Sequence, residues 1–394
     1  MPESVTAYSY PATERVLYGR GATAALPDEC ERLGVTRVLL VSTPSLRDSG
    51  AERRVREALG DRCVAASHDC AQHVPLAKMT ELIAAAREVE TDGIVTLGGG
   101  SVIDAGKALC AALAQGYSDA DQLYEHRIVF EYPDKLSQRP FEGEVAPHMA
   151  LPTTLSAAEY DGIFGMTHEG TKDLYNDPRL TPRVVVLDPE ATRETPRELW
   201  AASGIRALDH AVEIYLSRAP TPVTDAASLH AVKLLFAHLP RSLEQPEDED
   251  ARLACMHAAW LSMIGVDNVT LGLSHGIGHQ IGARCGVPHG VTSCVMLPTV
   301  MAVMTDVMSG RLADLARAMG APSDSSDADA AASAPGRVRD FIASLDLPTS
   351  LSDVGVGEDD FDAIADDAMR DFVVAAAPVD VSKADVVGLL ARAL

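Results

Sequence analysis

Apolar and polar positions change their rhythm near Pro189. Before it, short β-branched runs alternate with stretches of helical spacing. RVLLVS (Arg37–Ser42), GIVTLGGGS (Gly93–Ser101), HMALPTT (His148–Thr154) and RVVVLDP (Arg183–Pro189) read as strands. TAALPDECERLG, LAKMTELIAAAREVE (Leu76–Glu90) and VIDAGKALCAALA (Val102–Ala114) place apolar residues at helical intervals between them. Such alternation predicts a parallel sheet with helices on both faces. After Pro189, ELWAASGIRALDHAVEIYLS, DAASLHAVKLLFAHLPRSL, ARLACMHAAWLSMIGV and SCVMLPTVMAVMTDVM are all helical in period, with no strand of comparable strength. The pattern therefore predicts an α/β domain with a parallel sheet over 1–188 and an all-helical domain over 189–394. APSDSSDADAAASAPG (Ala321–Gly336) is small, polar and acidic and reads as a surface loop. There is no internal repeat.

Composition narrows the partners. A chain of 394 residues exceeds one ordinary core and agrees with two domains. Net charge is −24. So acidic a surface argues against nucleic acid or an anionic membrane as partner, and leaves room for a small acidic substrate in a local positive pocket. The N-terminal MPESVTAYSY lacks the basic start and apolar core of a signal peptide. The seven cysteines are scattered without a CxxC pair and read as reduced thiols of a cytoplasmic protein. Cys285 and Cys294 flank His289 and read as buried bystanders.

The chemistry-bearing residues begin at LGGGSVIDAGK, where Gly98, Gly99 and Gly100 stand between a strand and a helix opening with Ser101 and Asp104. Glycines allow close backbone approach to a phosphate, and a helix start supplies free N–H groups and a positive dipole end. The motif is neither GxGxxG nor a P-loop, and a plain tight turn is the competing reading. Thr153 and Thr154 end another strand and offer hydroxyls to the same cofactor. After the first of these strands stand Ser42, Thr43 and Pro44, with no acid to bind ribose hydroxyls or repel a 2′-phosphate.

In the second half, SHGIGHQIGARCGVPHG carries His275, His279 and His289, and SGIRALDHAVE carries Arg206 and His210 four residues apart on one helical face. Together with GGGSVIDAGK and LPTT, in this order, these motifs resemble the iron-containing alcohol dehydrogenase family over nearly the whole chain. The resemblance implies a Rossmann-like dinucleotide-binding domain, a helical domain and an active site in the cleft between them. Metal-dependent members hold a divalent ion on one aspartate and three histidines. The matching positions here are Arg206, His210, His275 and His289, and His279 matches the inner histidine beside the nicotinamide. Arginine is permanently cationic and no ligand, so no metal is expected. The competing reading turns Arg206 away into a salt bridge with Asp209 or Glu213.

One branch of the family, the maleylacetate reductases, also lacks the aspartate and works without metal. STP (Ser42–Pro44) and TKDLYNDPRLTPRVVVLDPEAT resemble that branch; its usual asparagine at position 206 does not match. The resemblance implies reduction of the double bond of an unsaturated or keto acid by NADH or NADPH, in aromatic-compound breakdown, by a homodimer. Arg206 would stabilise negative charge on oxygen or clamp a substrate carboxylate. His279 or His210 would deliver the proton, with His275 and His289 as oriented donors. Two alternatives stay open: a zinc- or iron-dependent alcohol or aldehyde oxidoreductase, and a lyase or cyclase that recycles its nicotinamide.

Overall fold

A computed structural model describes residues 7–10, 12–70, 76–131, 135–168 and 171–394. The first six residues of MPESVTAYSY lie outside them. The N-terminal half holds β1 (Arg15–Tyr18), α1 (Leu26–Leu33), β2 (Val38–Val41), α2 (Gly50–Leu59), β3 (Cys63–Ser67), α3 (Leu76–Glu88), β4 (Gly93–Gly98) and α4 (Gly100–Ala114). β5 (Val129–Glu131), β6 (Lys135–Ser137), β7 (His148–Pro152), β8 (Ile163–His168), β9 (Thr171–Asn176) and β10 (Val184–Leu187) follow. Six strands form one parallel sheet in the order β1-β10-β7-β4-β2-β3. β5 with β6 and β8 with β9 make separate antiparallel pairs, which the hydrophobic pattern does not announce.

The period-two pattern of the strands assigns the two faces of the sheet. Val38, Leu40, Val95, Leu97, Met149 and Leu151 pack with α1 and α2 on one side. Leu39, Val41 and Ile94 pack with α3 and α4 on the other. Every residue of β2, β4, β7 and β10 is buried, which explains their near-continuous apolar runs. Val185 and Leu187 of β10 point instead into the core of the second half, so the two halves share packing.

Among the described residues no strand follows Leu187. The second half consists of α5 (Arg197–Tyr215), α6 (Pro222–Glu244), α7 (Glu249–Met263), α8 (Leu273–Cys285), α9 (His289–Val303), α10 (Ser309–Ala318), α11 (Asp327–Ser344), α12 (Glu358–Ala368), α13 (Phe372–Ala375) and α14 (Lys383–Ala393). α5 is its central post, buried at every residue from Trp200 to Tyr215. The loop expected over 321–336 needs correction, because α11 starts at Asp327. Ser326 caps it by accepting from the Asp329 N–H at 3.1 Å, acidic residues fill its first turn, and its alanines favour helix. Ala330, Ala331, Ala334 and Pro335 then bury the face that the small side chains had disguised. No helix of the described residues is long and apolar enough to cross a membrane.

Candidate active site

The cofactor side is built at the C-terminal ends of β4 and β7, where a parallel sheet places its ligands. Gly98 ends β4, and its carbonyl accepts from the Thr153 N–H at 2.9 Å, fixing the two strand ends together. A Cβ at Gly99 would lie 3.0 Å from Thr154 Cγ2 and 3.2 Å from its hydroxyl. A Cβ at Gly100 would lie 3.1 Å from the Ser156 hydroxyl. A side chain at either position would press on Thr154 or Ser156 and narrow the cradle. No side chain caps the start of α4, and the Ser156 hydroxyl is buried with no hydrogen-bond partner. Free helix N–H groups beside an orphaned hydroxyl fit a pyrophosphate.

Other residues expected on the cofactor side are engaged elsewhere. The Ser42 hydroxyl donates to the Leu97 carbonyl at 2.9 Å and is fully buried, tying β2 to β4 rather than facing a nucleotide. Thr43 is partly exposed, its hydroxyl 2.8 Å from that of Ser45. Asp104 accepts from the Gly165 N–H of β8 at 3.3 Å, and the Ser101 carbonyl accepts from the Cys70 thiol at 3.4 Å.

Just past the cradle, Ala157 has a left-handed backbone (φ 61°), a costly state for a residue with a Cβ. It brings Glu159 and Tyr160 inside, where Glu159 Oε2 and the Tyr160 hydroxyl lack partners. Burial raises the Glu159 carboxyl to about 8. Next to them Lys107, fully buried on α4, donates to Asp161 at 2.8 Å and to the Ile163 carbonyl at 2.6 Å. Lys107 lies within the helical stretch VIDAGKALCAALA, and no motif in the sequence distinguishes it.

The histidine side is assembled by α5, α8 and α9. Its glycines serve close helix approach. A Cβ on Gly278 would meet the Thr292 hydroxyl of α9 at 2.8 Å, and one on Gly290 would meet the Ala202 carbonyl of α5 at 2.7 Å. Glu213 sits at the N-terminus of α8 and accepts from the Gly272, Ser274 and His275 N–H groups at 2.9, 2.7 and 3.1 Å. These contacts bring one nitrogen each of His275, His279 and His289 within 4.8 Å of one another. His210 is buried close by, its ring 5.3 Å from that of His275.

Arg206 fills the centre of this group and is 3% exposed. Nη2 donates to His275 Nε2 at 2.5 Å and to His289 Nε2. Nη1 donates to Ser293 Oγ at 2.8 Å and to Asp209 Oδ2 at 3.3 Å. Ser293 in turn donates to Asp209 at 2.5 Å. The two alternatives for Arg206 thus collapse into one arrangement, since it faces the histidines and pairs with Asp209 together. The four terminal N–H bonds of the guanidinium are all directed at protein atoms, which corrects the expectation of a bidentate clamp on a substrate carboxylate. Burial lowers Arg206 to about 10, leaving it charged at neutral pH. Burial and then this charge hold His210 and His275 well below the ordinary imidazole value, so both are neutral. The donor set does not suit a metal ion: the Nε2 lone pairs of His275 and His289 point at N–H groups, and a cation already occupies the space between them. Cys285 and Cys294 belong to no metal-binding group among the described residues, and all seven cysteines are free.

Arg206 makes no hydrogen bond to His279 or His210 among the described residues. His279 Nδ1 lies 3.0 Å from Asp371 Oδ2, a contact sequence reasoning missed because Asp371 stands in no motif, 92 positions downstream.

A parallel sheet with a glycine cradle is thus joined to a helical half that presents imidazoles, an architecture whose reaction class is set by its relatives. Residues 13–189 match the family model for iron-containing alcohol dehydrogenase, and residues 200–394 match that for the C-terminal part of the Fe-containing alcohol dehydrogenase family. The chain belongs to the iron-containing alcohol dehydrogenase family and is an NAD(P)-dependent oxidoreductase. It is 32% identical over 308 residues to maleylacetate reductase 2 of Cupriavidus pinatubonensis, covering 78% of this chain and 77% of that one. The crystal structure of maleylacetate reductase from Agrobacterium tumefaciens superposes with a TM-score of 0.80 at 27% identity, over 99% of this chain and 98% of that one. A 1,3-propanediol oxidoreductase structure superposes with a TM-score of 0.89, also at 27% identity, over 99% and 100%.

Proposed function

We propose that this chain is a metal-independent reductase that uses NADH or NADPH to reduce an unsaturated or keto acid of the maleylacetate kind. The observation that carries the reading is the Arg206 guanidinium seated between His275 Nε2 and His289 Nε2. The guanidinium, ion-paired with Asp209, puts a fixed cation beside the two histidines where a developing oxyanion needs positive potential, while removing the ligand field that would hold a metal. The maleylacetate reductases among its relatives support the same substrate class.

The Gly99–Gly100 turn, Thr154 and Ser156 would hold the dinucleotide, which supplies the hydride when bound. Hydride transfer to an enone or ketone leaves negative charge on oxygen, which the positive field around Arg206 stabilises through the two histidines it polarises. His279, which has no bond to Arg206, delivers the proton from Nε2 of its imidazolium form. His210 is buried and neutral, and shapes the pocket wall beside His275. The site stands in a chain that we read as cytoplasmic and homodimeric.

A second reading, a metal-dependent alcohol oxidoreductase, draws on the mutual approach of His275, His279 and His289 within 4.8 Å. The two are separated by following NADH and NADPH oxidation with maleylacetate and, on the same protein, NAD(P)+ reduction with 1,3-propanediol and longer alcohols. Turnover confined to the acid supports the proposal; turnover confined to the alcohols overturns it.

A further inference from the structure

The proton donor proposed above needs one ring nitrogen held and the other left for substrate, and the far end of the chain supplies the holder. Asp371 is buried and caps α13, its Oδ1 accepting from the Val373 N–H at 2.8 Å. Its other oxygen, Oδ2, receives His279 Nδ1 and the Gln280 side-chain Nε2, each at 3.0 Å. The second ring nitrogen of His279 has no hydrogen-bond partner among the described residues. The ring is fixed in plane as well, stacked on His289 at 5.2 Å and edge-on to His275 at 4.7 Å.

Gly276, the first of two glycines between His275 and His279, makes this possible. A Cβ on Gly276 would fall 2.5 Å from Val374 Cγ2 and 3.0 Å from the Val374 backbone nitrogen. α13 can therefore press against α8 only where position 276 has no side chain, and that approach brings Asp371 to His279. On its outer side Phe372, next to Asp371, meets Phe130 of β5 with ring centroids 6.5 Å apart. The N-terminal half thus buttresses the same short helix.

We infer that Asp371 is the positioning residue of the reaction: it holds the Nδ1 proton of His279, so that Nε2 is the nitrogen presented to substrate. A carboxylate with both oxygens accepting cannot accommodate a bare Nδ1 lone pair, so the neutral ring is confined to its Nδ1–H tautomer. When His279 gives up its Nε2 proton, the Nδ1–H bond to Asp371 stays in place. The inference rests on the proposed role of His279, and the test separates the two.

Asp371→Asn preserves shape. Its single oxygen is required by the Val373 N–H, which turns the amide NH2 toward His279 Nδ1 and drives the ring to the Nε2–H tautomer. Histidine-selective 15N spectra of the apo-protein at alkaline pH read the tautomer without any substrate. Steady-state turnover of maleylacetate with NADH, fluorescence titration of NADH and a thermal melt accompany them. Expected are an Nδ1–H signal for His279 in the parent, its loss in D371N, and a roughly 10²-fold lower kcat with NADH affinity unchanged. H279Q should be at least as slow, and D371N/H279Q no slower than H279Q. A parent in the Nε2–H form, or a D371N variant with unchanged tautomer and turnover, overturns the inference. If H279Q turns over like the parent, the proton-donor role fails, and the tautomer spectra still decide what Asp371 does.

Discussion

Replacing Arg206 with aspartate tests what this residue stands for. In the parent, the guanidinium and the Asp209 carboxylate are buried together, with side chains 4% and 0% exposed, and Ser293 bridges them. Arg206→Asp removes the cation and puts a second carboxylate beside Asp209, which burial already pushes above its ordinary value. Breaking a buried, hydrogen-bonded charge pair costs about 3–5 kcal/mol. At roughly 2 °C per kcal/mol for a chain of this size, the metal-free variant should melt about 6–10 °C below the parent. The new carboxylate lies one helical turn from His210 and beside His275 and His289, whose Nε2 atoms lose their N–H donor. That set is a zinc site in kind and number. Zinc at about a hundred times its Kd should return about 2.7 kcal/mol, or ~5 °C. Fluorimetric melts with and without zinc, together with metal analysis after desalting, read both effects. The reasoning fails if R206D melts with the parent and takes up no zinc.

Gly99→Ala should raise KM for NADH about tenfold while the melting temperature changes little, because the added methyl presses on Thr154 and closes the cradle, at the cost of one or two hydrogen bonds. NADH fluorescence titration checks this. Glu159, raised to about 8 by burial, binds a proton in the folded chain over a range where the unfolded chain has lost it. Stability should therefore be greatest below pH ~4.5 as far as this group is concerned, and fall as pH rises toward about 8. Glu159→Gln cannot ionise, so denaturant melts across this window should show the parent losing stability relative to the variant; parallel profiles would mean that Glu159 is not protonated at neutral pH.

The four inner strands β2, β4, β7 and β10 were legible because they are fully buried, which writes near-continuous apolar runs into the chain, whereas the edge strands β1 and β3 are partly exposed and carry no such run. The helical half was legible by period alone. α11 was not, since alanines, serines and aspartates spell a loop by composition, and only the cap at Ser326 and the buried alanine face show a helix. At the site, Arg206 stood out because it breaks a pattern four residues from a histidine. Its salt bridge to Asp209, three residues on along the same helix, was readable as the competing arrangement, but its bond to Ser293 comes from a different helix, and no local signal carries that. Asp371 was invisible for the same reason. It sits in DDAMRDFVVA among other surface-type acids, and only the approach of α13 to Gly276 distinguishes it. Lys107 followed a helical pattern in which a lysine is usually solvated, and only the fold places it against Asp161.

The central claim is that Arg206 stands where relatives hold an ion. The most direct measurement is turnover of maleylacetate with NADH and NADPH before and after exhaustive chelation, with metal content determined on both samples. The account predicts undiminished rates in protein holding far less than one metal per chain. Activity that is lost on chelation and regained with zinc or iron would contradict it.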